Sequence, residues 1–540
     1  MAKSAGYVSI DDLVGLLQAG RMSRREFVSS GIALGLSLGS VSAILAACGT
    51  STTTATTGGT LTTGVVGAVG KFDPQGWAGF TSNIATNHVF QSLVRLNFDT
   101  SELEPCLATA WETPDPLTYT YHLRKGVKFH NGDPFTADDV VFSTNRSKKV
   151  SWGSYALSNL DSVTALDPFT VQVKLSKPDW RFKWFYYWPP GAILSKKYLE
   201  SVGEDVAAQK PVGTNAFKLT SSTSSQVVLE KFADYWEKGL PKVDKVVLRV
   251  LDGSTILSGL KTGEIQLSPD VGFDQMTLAS SFSNVDIKSR VGPHIVMTYM
   301  NTTKSPFNDV RVRQAIAEAL DNAAALSAYP AKFYLPSKGA WIHPSFEFSA
   351  YNETNAVYTS NLDKAKSMLA QSSTPNGFST TWTVAATRPQ ELSAVLGAQE
   401  RLGKIGIKVD IKQLPDPDVA GATYTRPRPF DMITYNWLHN QPHALDPMAA
   451  LLTTDALAVS NFPGYSNPAY DDAVAKAIVA TDKTEITTHM RTLQMIQVRD
   501  VPLLVHGWDG IRRVAQKKLE TPVQTLVAEY DDWFRPARLT

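Results

Sequence analysis

Cysteine is nearly absent from this sequence: only Cys48 and Cys106 occur among 540 residues. If Cys48 carries a lipid, Cys106 is left alone, and no intramolecular disulfide can form even in a compartment that permits one. An excess of either charge is also missing, since 52 Lys and Arg residues face 51 Asp and Glu residues. This balance argues against nucleic acid or an anionic membrane surface as the main partner. Beyond the first fifty residues, no hydrophobic run approaches the ~20 residues that span a bilayer.

Motifs of catalysis are missing as well. The sequence contains no HExxH, GxxxxGK[ST] or CxxC pattern, so it offers no zinc-protease, P-loop or dithiol site. The glycines of residues 61–70 do not have the GxGxxG spacing of a dinucleotide site. The acidic pairs Asp138/Asp139 and Asp471/Asp472 lie at predicted helix starts or turns, where capping is a sufficient role. The sequence therefore predicts neither an enzyme nor a bound cofactor.

The first fifty residues carry the marks of an export signal. Arg24 and Arg25 precede a mildly apolar run that ends in Leu-Ala-Ala-Cys at Cys48, and paired arginines ahead of such a run indicate the twin-arginine route. The LAAC quartet resembles the lipobox of bacterial lipoproteins, in which the cysteine is acylated. We therefore predict that residues 1–47 are removed and that Cys48 becomes a lipidated first residue. The alternative is an uncleaved anchor over Val28–Ala47, which five Ser and three Gly make weakly hydrophobic.

A tether and a large body follow the signal. Residues 48–60 are mostly Thr, Ser and Gly, so they have nothing to bury and are predicted to form a flexible link that reaches ~20 Å. The remaining body of about 490 residues exceeds the ~250 to 300 residues that one core supports. At least two lobes are expected.

Strand and helix patterns alternate along this body. Residues 117–123 (LTYTYHL) alternate as a half-buried strand does, and Thr136 supplies an N-cap hydroxyl for a helix. Asp309 is predicted to cap a later helix. The buried stripe of that helix is predicted to be Val312, Ile316 and Leu320. Further predicted elements are strands at 61–70, 294–301, 405–411 and 431–437 and a helix at 392–402.

This alternation predicts an α/β fold with largely parallel sheets. Ligands of such sheets lie beyond the carboxyl ends of the strands. The loops after Val69, Asn301 and Trp437 are therefore the places where a ligand is expected.

Several segments resemble one protein family, in order and in spacing. The longest is LATAWETPDPLTYTYHLRKGVKFHNGDPFTADDVVFS (107–143). The others are PVGTNAFKL (211–219), FADYWEKGLPKVDKVVLRV (232–250), NTTKSPFNDVRVRQAIAEALD (301–321) and NFPGYSNPAYDD (461–472). On these segments the chain is identified as similar to the family 5 extracellular solute-binding proteins of ABC importers, which include oligopeptide, dipeptide and nickel binders.

The resemblance implies a two-lobed periplasmic-binding-protein (Venus-flytrap) fold with an additional α/β subdomain in the N-terminal lobe. On that template, lobe I comprises residues 58–95, 190–292 and 500–540, the extra subdomain comprises 96–189, and lobe II comprises 293–499. The implied function is capture of a peptide or another small solute between the lobes and delivery to permease subunits. The chain would act as a monomer outside the cytoplasm, held at the membrane by its N-terminal lipid. A nickel or other metal chelate, another non-peptide solute, or a sensor or chaperone role without a transporter stay open as alternatives.

The resemblance also places a candidate site in TYNWLHNQPHALDP (434–447). In peptide-binding relatives a strand ends in Trp, and an Asp three residues later pairs with the peptide ammonium. This chain has Trp437 at the first position and Asn440 at the second, and an amide carries no charge for that pair. Asp446 is a possible substitute, with a structural turn as its alternative role. Trp437 is predicted either to stack on the ligand or to fill the core.

Other candidates come from the same loop and from the two predicted cleft walls. His439 and His443 are four residues apart, but the proline between them argues against a helical metal site. His294 and Tyr299 on one strand are predicted ligand contacts of lobe II. Trp77 and Phe80, in the loop after the first strand, are predicted contacts of lobe I. For all four of these residues core packing is the alternative.

An aromatic segment, WRFKWFYYWPP (180–190), stands out because seven of the nine residues from Trp180 to Trp188 are aromatic. At strand periodicity alternate rings would share one face. The segment is interpreted either as core between the subdomain and lobe I or as an aromatic wall for an apolar or ring-bearing ligand.

Overall fold

The computed structural model describes residues 58–76, 80–97, 100, 102–269, 271–321, 333–337, 348, 358–438, 441, 443–522 and 533–539. The export signal, most of the tether, and the candidates Trp77, His439 and Asn440 lie outside these ranges. Within them, no helix combines the length and the apolar character needed to cross a membrane. Gly58–Ala537 form one compact unit.

The strands of the described ranges are numbered along the chain. They are β1 Thr60–Val65, β2 Val94–Leu96, β3 Leu103–Pro105, β4 Ala108–Asp115, β5 Thr118–Leu123, β6 Leu160–Asp167, β7 Thr170–Leu175, β8 Phe217–Ser222, β9 Gln226–Lys231, β10 Lys245–Val250, β11 Leu267–Ser268, β12 Val285–Met300, β13 Tyr334–Pro336, β14 Phe378–Ala385, β15 Ile407–Leu414, β16 Met432–Thr434, β17 Trp437–Leu438, β18 Leu503–Gln516, β19 Leu519–Glu520 and β20 Arg538–Leu539.

The helices are numbered in the same way. They are α1 Phe80–Val89, α2 Ala137–Ser147, α3 Ser151–Ala156, α4 Lys196–Val202, α5 Glu204–Gln209, α6 Gly253–Thr262, α7 Phe273–Ser280, α8 Val310–Ala319, α9 Leu362–Ala370, α10 Pro389–Gly403, α11 Asp416–Tyr424, α12 Leu445–Leu452, α13 Pro468–Val479 and α14 Lys483–Asp500.

The main sheet contains 12 of these strands. Its path is β15-β14-β16-β12-β18-β11-β1-β10-β9-β8, with β17 added to β12 and β13 to β18. Pairing is parallel at β1–β10, β1–β11, β14–β15 and β14–β16. The other ladders of the sheet are antiparallel. The prediction of largely parallel sheets is therefore wrong, because hairpins and one long antiparallel pair make up much of the sheet.

That long pair, β12 with β18, joins the two halves of the sheet. Its register runs from Val285 opposite Gln516 to Tyr299 opposite Leu503, with irregularities near His294 and Met297. Strands β11, β1, β10, β9 and β8 lie on one side of the pair, and β16, β14 and β15 lie on the other. Two strands shared by both halves are suited to act as a hinge.

A separate sheet of four antiparallel strands, β4-β5-β7-β6, lies within the predicted extra subdomain. In β5 the side chains of Tyr119, Tyr121 and Leu123 are buried and the residues between them are half-buried, which confirms the alternation in the sequence. Helix α2 begins directly after Thr136, in a capping box with Asp139. The predicted start of this helix is confirmed.

Helix α8 is also capped as predicted. The Asp309 carboxylate accepts a hydrogen bond of 2.8 Å from the Arg311 backbone N–H, which satisfies one of the free donors of the first turn. Val312, Ile316 and Leu320 are all buried in one hydrophobic cluster. The predicted burial of these three residues is confirmed, although Leu320 lies one residue beyond the end of α8.

The aromatic segment is not a strand. Trp180–Trp184 form a 3-10 turn, and a second such turn covers Pro189–Gly191. The expectation that alternate aromatic rings share one face of a strand is therefore wrong. Phe182 and the five rings from Trp184 to Trp188 are buried in the core cluster that includes β5 and β7. The segment is core.

Candidate ligand-binding site

The segment after β16 packs against β12. Strand β17, in this segment, pairs with β12 in antiparallel register, with Trp437 opposite Ile295 and Leu438 opposite His294. The Trp437 ring is half-buried and packs edge-on against Phe462, with ring centroids 5.9 Å apart. Its indole Nε1 is buried and has no hydrogen-bond partner among the residues that the structure describes. Trp437 therefore packs on the core and also carries an unused donor.

On the other edge of β12, His294 lies opposite Asp509 of β18. His294 Nδ1 is 3.0 Å from Asp509 Oδ1, although this approach does not have the geometry of a hydrogen bond. Asp509 is 3 % exposed. Tyr334 of β13 also lies opposite it, and burial together with the Asp509 charge raises the pKa of the Tyr334 hydroxyl.

The carboxyl ends of β14 and β15 bring three charged residues together. Arg388 Nη1 donates to Glu391 Oε1 at 3.1 Å, and Arg388 Nη2 donates to Asp416 Oδ2 at 3.0 Å. The side chains are 30 % exposed for Arg388, 3 % for Glu391 and 40 % for Asp416. One guanidinium thus bridges two carboxylates, of which one is deeply buried.

Local chain geometry explains this arrangement. Strands β14 and β15 are parallel and in register to their last residues, Ala385 opposite Leu414, so both chains leave the sheet at the same edge. Helix α10 then begins with Pro389, and α11 begins with Asp416. Glu391 and Asp416 therefore lie in first turns, where the helix dipole favours a carboxylate.

The charge of the Asp509 carboxylate also acts on Glu391. Burial raises the pKa of Glu391, the Arg388 guanidinium opposes this shift, and the charges of Asp509 and Asp416 add to it. We call His294, Arg388, Glu391, Asp416 and Asp509 the charged cluster. It sets one arginine against three carboxylates: His294 and Asp509 lie on the β12–β18 pair, and the other three residues follow the carboxyl ends of β14 and β15.

Sequence reasoning located part of this region and missed the rest. His294 and Trp437 lie on β12 and β17 as described, but Arg388, Glu391 and Asp416 were not among the candidates. The sequence marks them only weakly, since Arg388 and Glu391 lie in the short segment ATRPQE and Asp416 lies five residues after the predicted strand at 405–411.

The remaining candidate residues are mostly buried, in surroundings that indicate structural roles. Tyr299 is fully buried and packs edge-on against Phe462, with ring centroids 5.1 Å apart, so core packing describes it. Asp446 is 4 % exposed in the first turn of α12, which favours its structural role. His443 is fully buried with its Nε2 2.5 Å from Gln441 Oε1. Phe80 begins α1.

No group of three His, Cys, Asp or Glu suited to a metal ion occurs among the described residues.

Trp180 joins the predicted extra subdomain to the predicted second lobe. Its indole Nε1 donates to the Ala477 carbonyl at 2.7 Å, in the last turn of α13. Its ring also packs edge-on against His443, with ring centroids 4.8 Å apart. The aromatic segment thus reaches the loop that follows Trp437.

Comparisons with known proteins agree with this architecture. Residues 102–458 match the family model described as bacterial extracellular solute-binding proteins, family 5 Middle. The glutathione-binding protein GsiB of Escherichia coli (strain K12) is 29% identical over 456 residues, which cover 81% of this chain and 87% of that protein.

Solved structures give the same result. The ABC transporter-associated periplasmic binding protein DppA from Helicobacter pylori, in complex with peptide STSA, has a TM-score of 0.79 and 27% identity, with 89% of this chain and 98% of that chain covered. NikZ from Campylobacter jejuni, in complex with Ni(L-His), has a TM-score of 0.76 and covers 87% of this chain and 97% of its own, but at 20% identity this likeness concerns the fold alone. The predicted two-lobed binding-protein fold is confirmed.

Proposed function

Because this chain belongs to the family 5 bacterial extracellular solute-binding proteins, we propose that its solute is a short peptide with free termini, bound between the two lobes beside the charged cluster. The chain is the solute-binding component of an ABC importer and acts outside the cytoplasm. We propose further that it acts as a monomer and performs no catalysis.

The observation that carries the peptide proposal is the presence of both signs of charge in one cluster. A free peptide has an ammonium and a carboxylate, and charge-assisted hydrogen bonds to such groups are about twice as strong as neutral ones. Arg388 and the three carboxylates offer partners for both ends of such a molecule. Two relatives support the assignment, since GsiB is a glutathione-binding protein and DppA was solved with peptide STSA.

The mechanism we propose uses the hinge. Ligand contacts on both lobes stabilise the closed arrangement because the open one makes only part of them. The lobes rotate on the β12–β18 pair, with boundaries at residues 58–95, 190–292 and 500–540 for lobe I, 96–189 for its subdomain and 293–499 for lobe II. Contacts such as that of Trp180 with Ala477 form on closure, and the closed form docks on the permease pair.

Calorimetric titration of the full chain with glutathione and with the peptide Ser-Thr-Ser-Ala tests the proposal. We expect saturable binding of at least one probe. We also expect Trp437→Phe to weaken this binding about fivefold, since one hydrogen bond contributes about 1 kcal/mol. The apo melting temperature should stay unchanged, because the indole N–H has no partner within the described part of the chain. Equal affinity of Trp437→Phe and the parent chain would assign Trp437 to packing only.

Attachment to the membrane is a further part of the proposal, supported by the LAAC quartet that ends at Cys48 and by the paired Arg24 and Arg25. We expect Cys48→Ser to move the protein from the membrane fraction to the soluble extracytoplasmic fraction, because a lipid chain contributes about 0.8 kcal/mol per buried methylene. Cys106→Ser, at the buried cysteine, is the matched control. Persistent membrane association of Cys48→Ser would favour an uncleaved anchor.

A further inference from the structure

The main sheet ends at strand β8, and one edge of this strand is open. Among the strands that the structure describes, β8 pairs with β9 alone and lies at the end of the sheet path. Its residues Lys218, Thr220, Ser221 and Ser222 are exposed to solvent. The open side of an edge strand presents backbone N–H and C=O groups to which another extended chain can pair.

A groove of about 640 Å³ runs along this edge. Residues 218–222 line it together with 70–72, 130–131, Tyr198 and 208–212. Successive side chains of a strand point to opposite faces of the sheet. A groove that contacts five consecutive residues of β8 therefore follows the edge of the sheet and does not lie on one of its faces.

Hydrogen bonds between neighbouring segments hold the walls of the groove. The Phe72 N–H donates to the Ala208 carbonyl at 2.7 Å, and the Tyr198 hydroxyl donates to the Lys210 carbonyl at 2.8 Å. None of the described residues that line the groove belongs to the range predicted for lobe II or to the charged cluster. The groove is therefore preformed, and its shape does not depend on a rotation of the lobes.

The charge of the groove is positive. Lys71, Lys210 and Lys218 line it, and no Asp or Glu does so among the described residues. Lys71 donates to Asp205 at 2.7 Å, whereas Lys210 and Lys218 form no ion pair in the part of the chain that the structure describes. The chain as a whole is balanced, with 52 basic and 51 acidic residues. This local excess of positive charge fits an anionic partner.

Two titratable groups beside Lys218 leave this charge in place. Glu230, opposite Lys218 on β9, pairs with Lys245 at 3.2 Å. Burial lowers the pKa of His130 to about 4; the hydrogen bond from its Nε2 to the Asn215 carbonyl opposes this shift, and the charge of Lys218 adds to it. At neutral pH His130 is uncharged, so the charge of the groove is that of its lysines.

Lysines on an edge strand ordinarily discourage pairing with another chain, because a neutral or basic strand cannot compensate their charge. An acidic strand is attracted at the same positions, so the lysines select the partner by its charge. We propose that an extended acidic segment of a partner protein adds to the main sheet along β8, with its backbone paired to the open edge and its carboxylates beside Lys210 and Lys218. The groove is separate from the proposed solute site, so this partner and the solute bind independently.

Calorimetric titration of the full chain with the hexapeptide acetyl-Glu-Val-Glu-Val-Glu-Val-amide tests the proposal. The peptide matches the 6 residues of β8, and its capped ends lack the terminal charges on which the proposed solute site depends. We expect saturable binding of one peptide per chain that weakens as the ionic strength rises. Absence of saturable binding up to about 1 mM peptide would overturn the proposal.

Two further peptides separate the contribution of charge from that of strand pairing. Acetyl-Lys-Val-Lys-Val-Lys-Val-amide reverses the charge. The Glu-Val peptide with N-methyl groups on all of its residues keeps the side chains and removes their backbone N–H donors. We expect both to bind about tenfold more weakly or worse. Equal binding of the N-methylated peptide would indicate an anion site without strand pairing and would overturn the proposal.

The double variant Lys210→Glu with Lys218→Glu locates the site. We expect binding of the Glu-Val peptide to weaken about tenfold or more, because two attractions become repulsions. The melting temperature should stay unchanged, because both positions are exposed. Lys408→Glu with Lys412→Glu, at exposed positions of β15 at the other end of the sheet path, makes the same change in net charge and should bind as the parent chain does. Equal affinities of the two double variants would overturn the assignment to this groove.

Discussion

Arg388→Gln is expected to lower the melting temperature by about 2 to 3 °C and to weaken peptide binding more than tenfold. Removal of one partner from a buried ion pair costs about 3–5 kcal/mol. The exposure of Arg388 and Asp416, 30 % and 40 % of their side chains, reduces this to about 2 to 3 kcal/mol. A cooperative unit of this size unfolds with an entropy near ~1 kcal/mol/K, so each kcal/mol corresponds to about 1 °C. Binding suffers because the two carboxylates are no longer held in place.

The loss of stability caused by Arg388→Gln should depend on pH. The pKa of Glu391 is raised in the folded protein, chiefly by burial, so the native state binds a proton at Glu391 more tightly than the unfolded chain does. The ionised Glu391 therefore lowers the free energy of unfolding at high pH, and this destabilisation is relieved as the pH falls through the folded pKa. Arg388 opposes the shift, and its removal raises the pKa further. The destabilisation by Arg388→Gln should therefore be larger at pH 8 than at pH 5.

Lys404→Gln is a suitable control for this experiment. Lys404 lies at the other end of α10 and pairs with Glu400 at the surface, where an ion pair contributes about 0 to 1 kcal/mol. The measurement is the melting temperature of both variants and of the parent chain at pH 8 and at pH 5. An Arg388→Gln variant with the same loss at both pH values, or with unchanged peptide affinity, would contradict the role given to Arg388.

Trp382→Ala is expected to cause the largest loss of stability, about 3–5 kcal/mol, as is usual for truncation of a fully buried large aromatic residue. Trp382 lies in β14, is fully buried in the cluster around α8 and α10, and donates from Nε1 to Thr434 Oγ1 at 2.9 Å. Thr434 continues the contact to Thr298 at 2.8 Å, and Thr298 to His506 at 2.9 Å. The expected fall in melting temperature is about 3 to 5 °C.

Two further substitutions separate packing from hydrogen bonding at this position. Trp382→Phe keeps most of the ring and should lose only about 1 kcal/mol with the hydrogen bond. Leu396→Ala, at a residue that is 49% exposed on α10, should remain within about 0.5 kcal/mol of the parent chain. A Trp382→Ala loss no larger than that of Leu396→Ala would show that β14 does not pack as described.

Local signals in the sequence were sufficient for several elements. The cap at Thr136, the cap at Asp309 and the alternation of β5 depend on neighbours within a few residues, and each was predicted. For the aromatic segment the core interpretation agrees with the structure but the strand periodicity does not, because a run in which most residues are aromatic shows no clear period. Its 3-10 turns follow from packing against residues distant in sequence.

The candidate site required contacts that sequence spacing does not encode. Arg388 and Asp416 meet because β14 and β15 are adjacent and parallel. The charge of Asp509 reaches Glu391 because β18, β12, β16 and β14 are successive neighbours in the sheet. No local pattern predicts which strands of a large sheet become neighbours. The family resemblance was sufficient to predict the fold and the function. The charged residues of the candidate site could be identified only from the order of the strands in the sheet.

The most direct test of the central claim is a thermal melt of the full chain with and without a mixed pool of two- to six-residue peptides. Ligand at 100 times its dissociation constant stabilises the native state by ~2.7 kcal/mol, so the account predicts a rise of ~3 °C in melting temperature. An unchanged melting temperature, in a chain that unfolds cooperatively, would contradict peptide binding and point to a non-peptide solute.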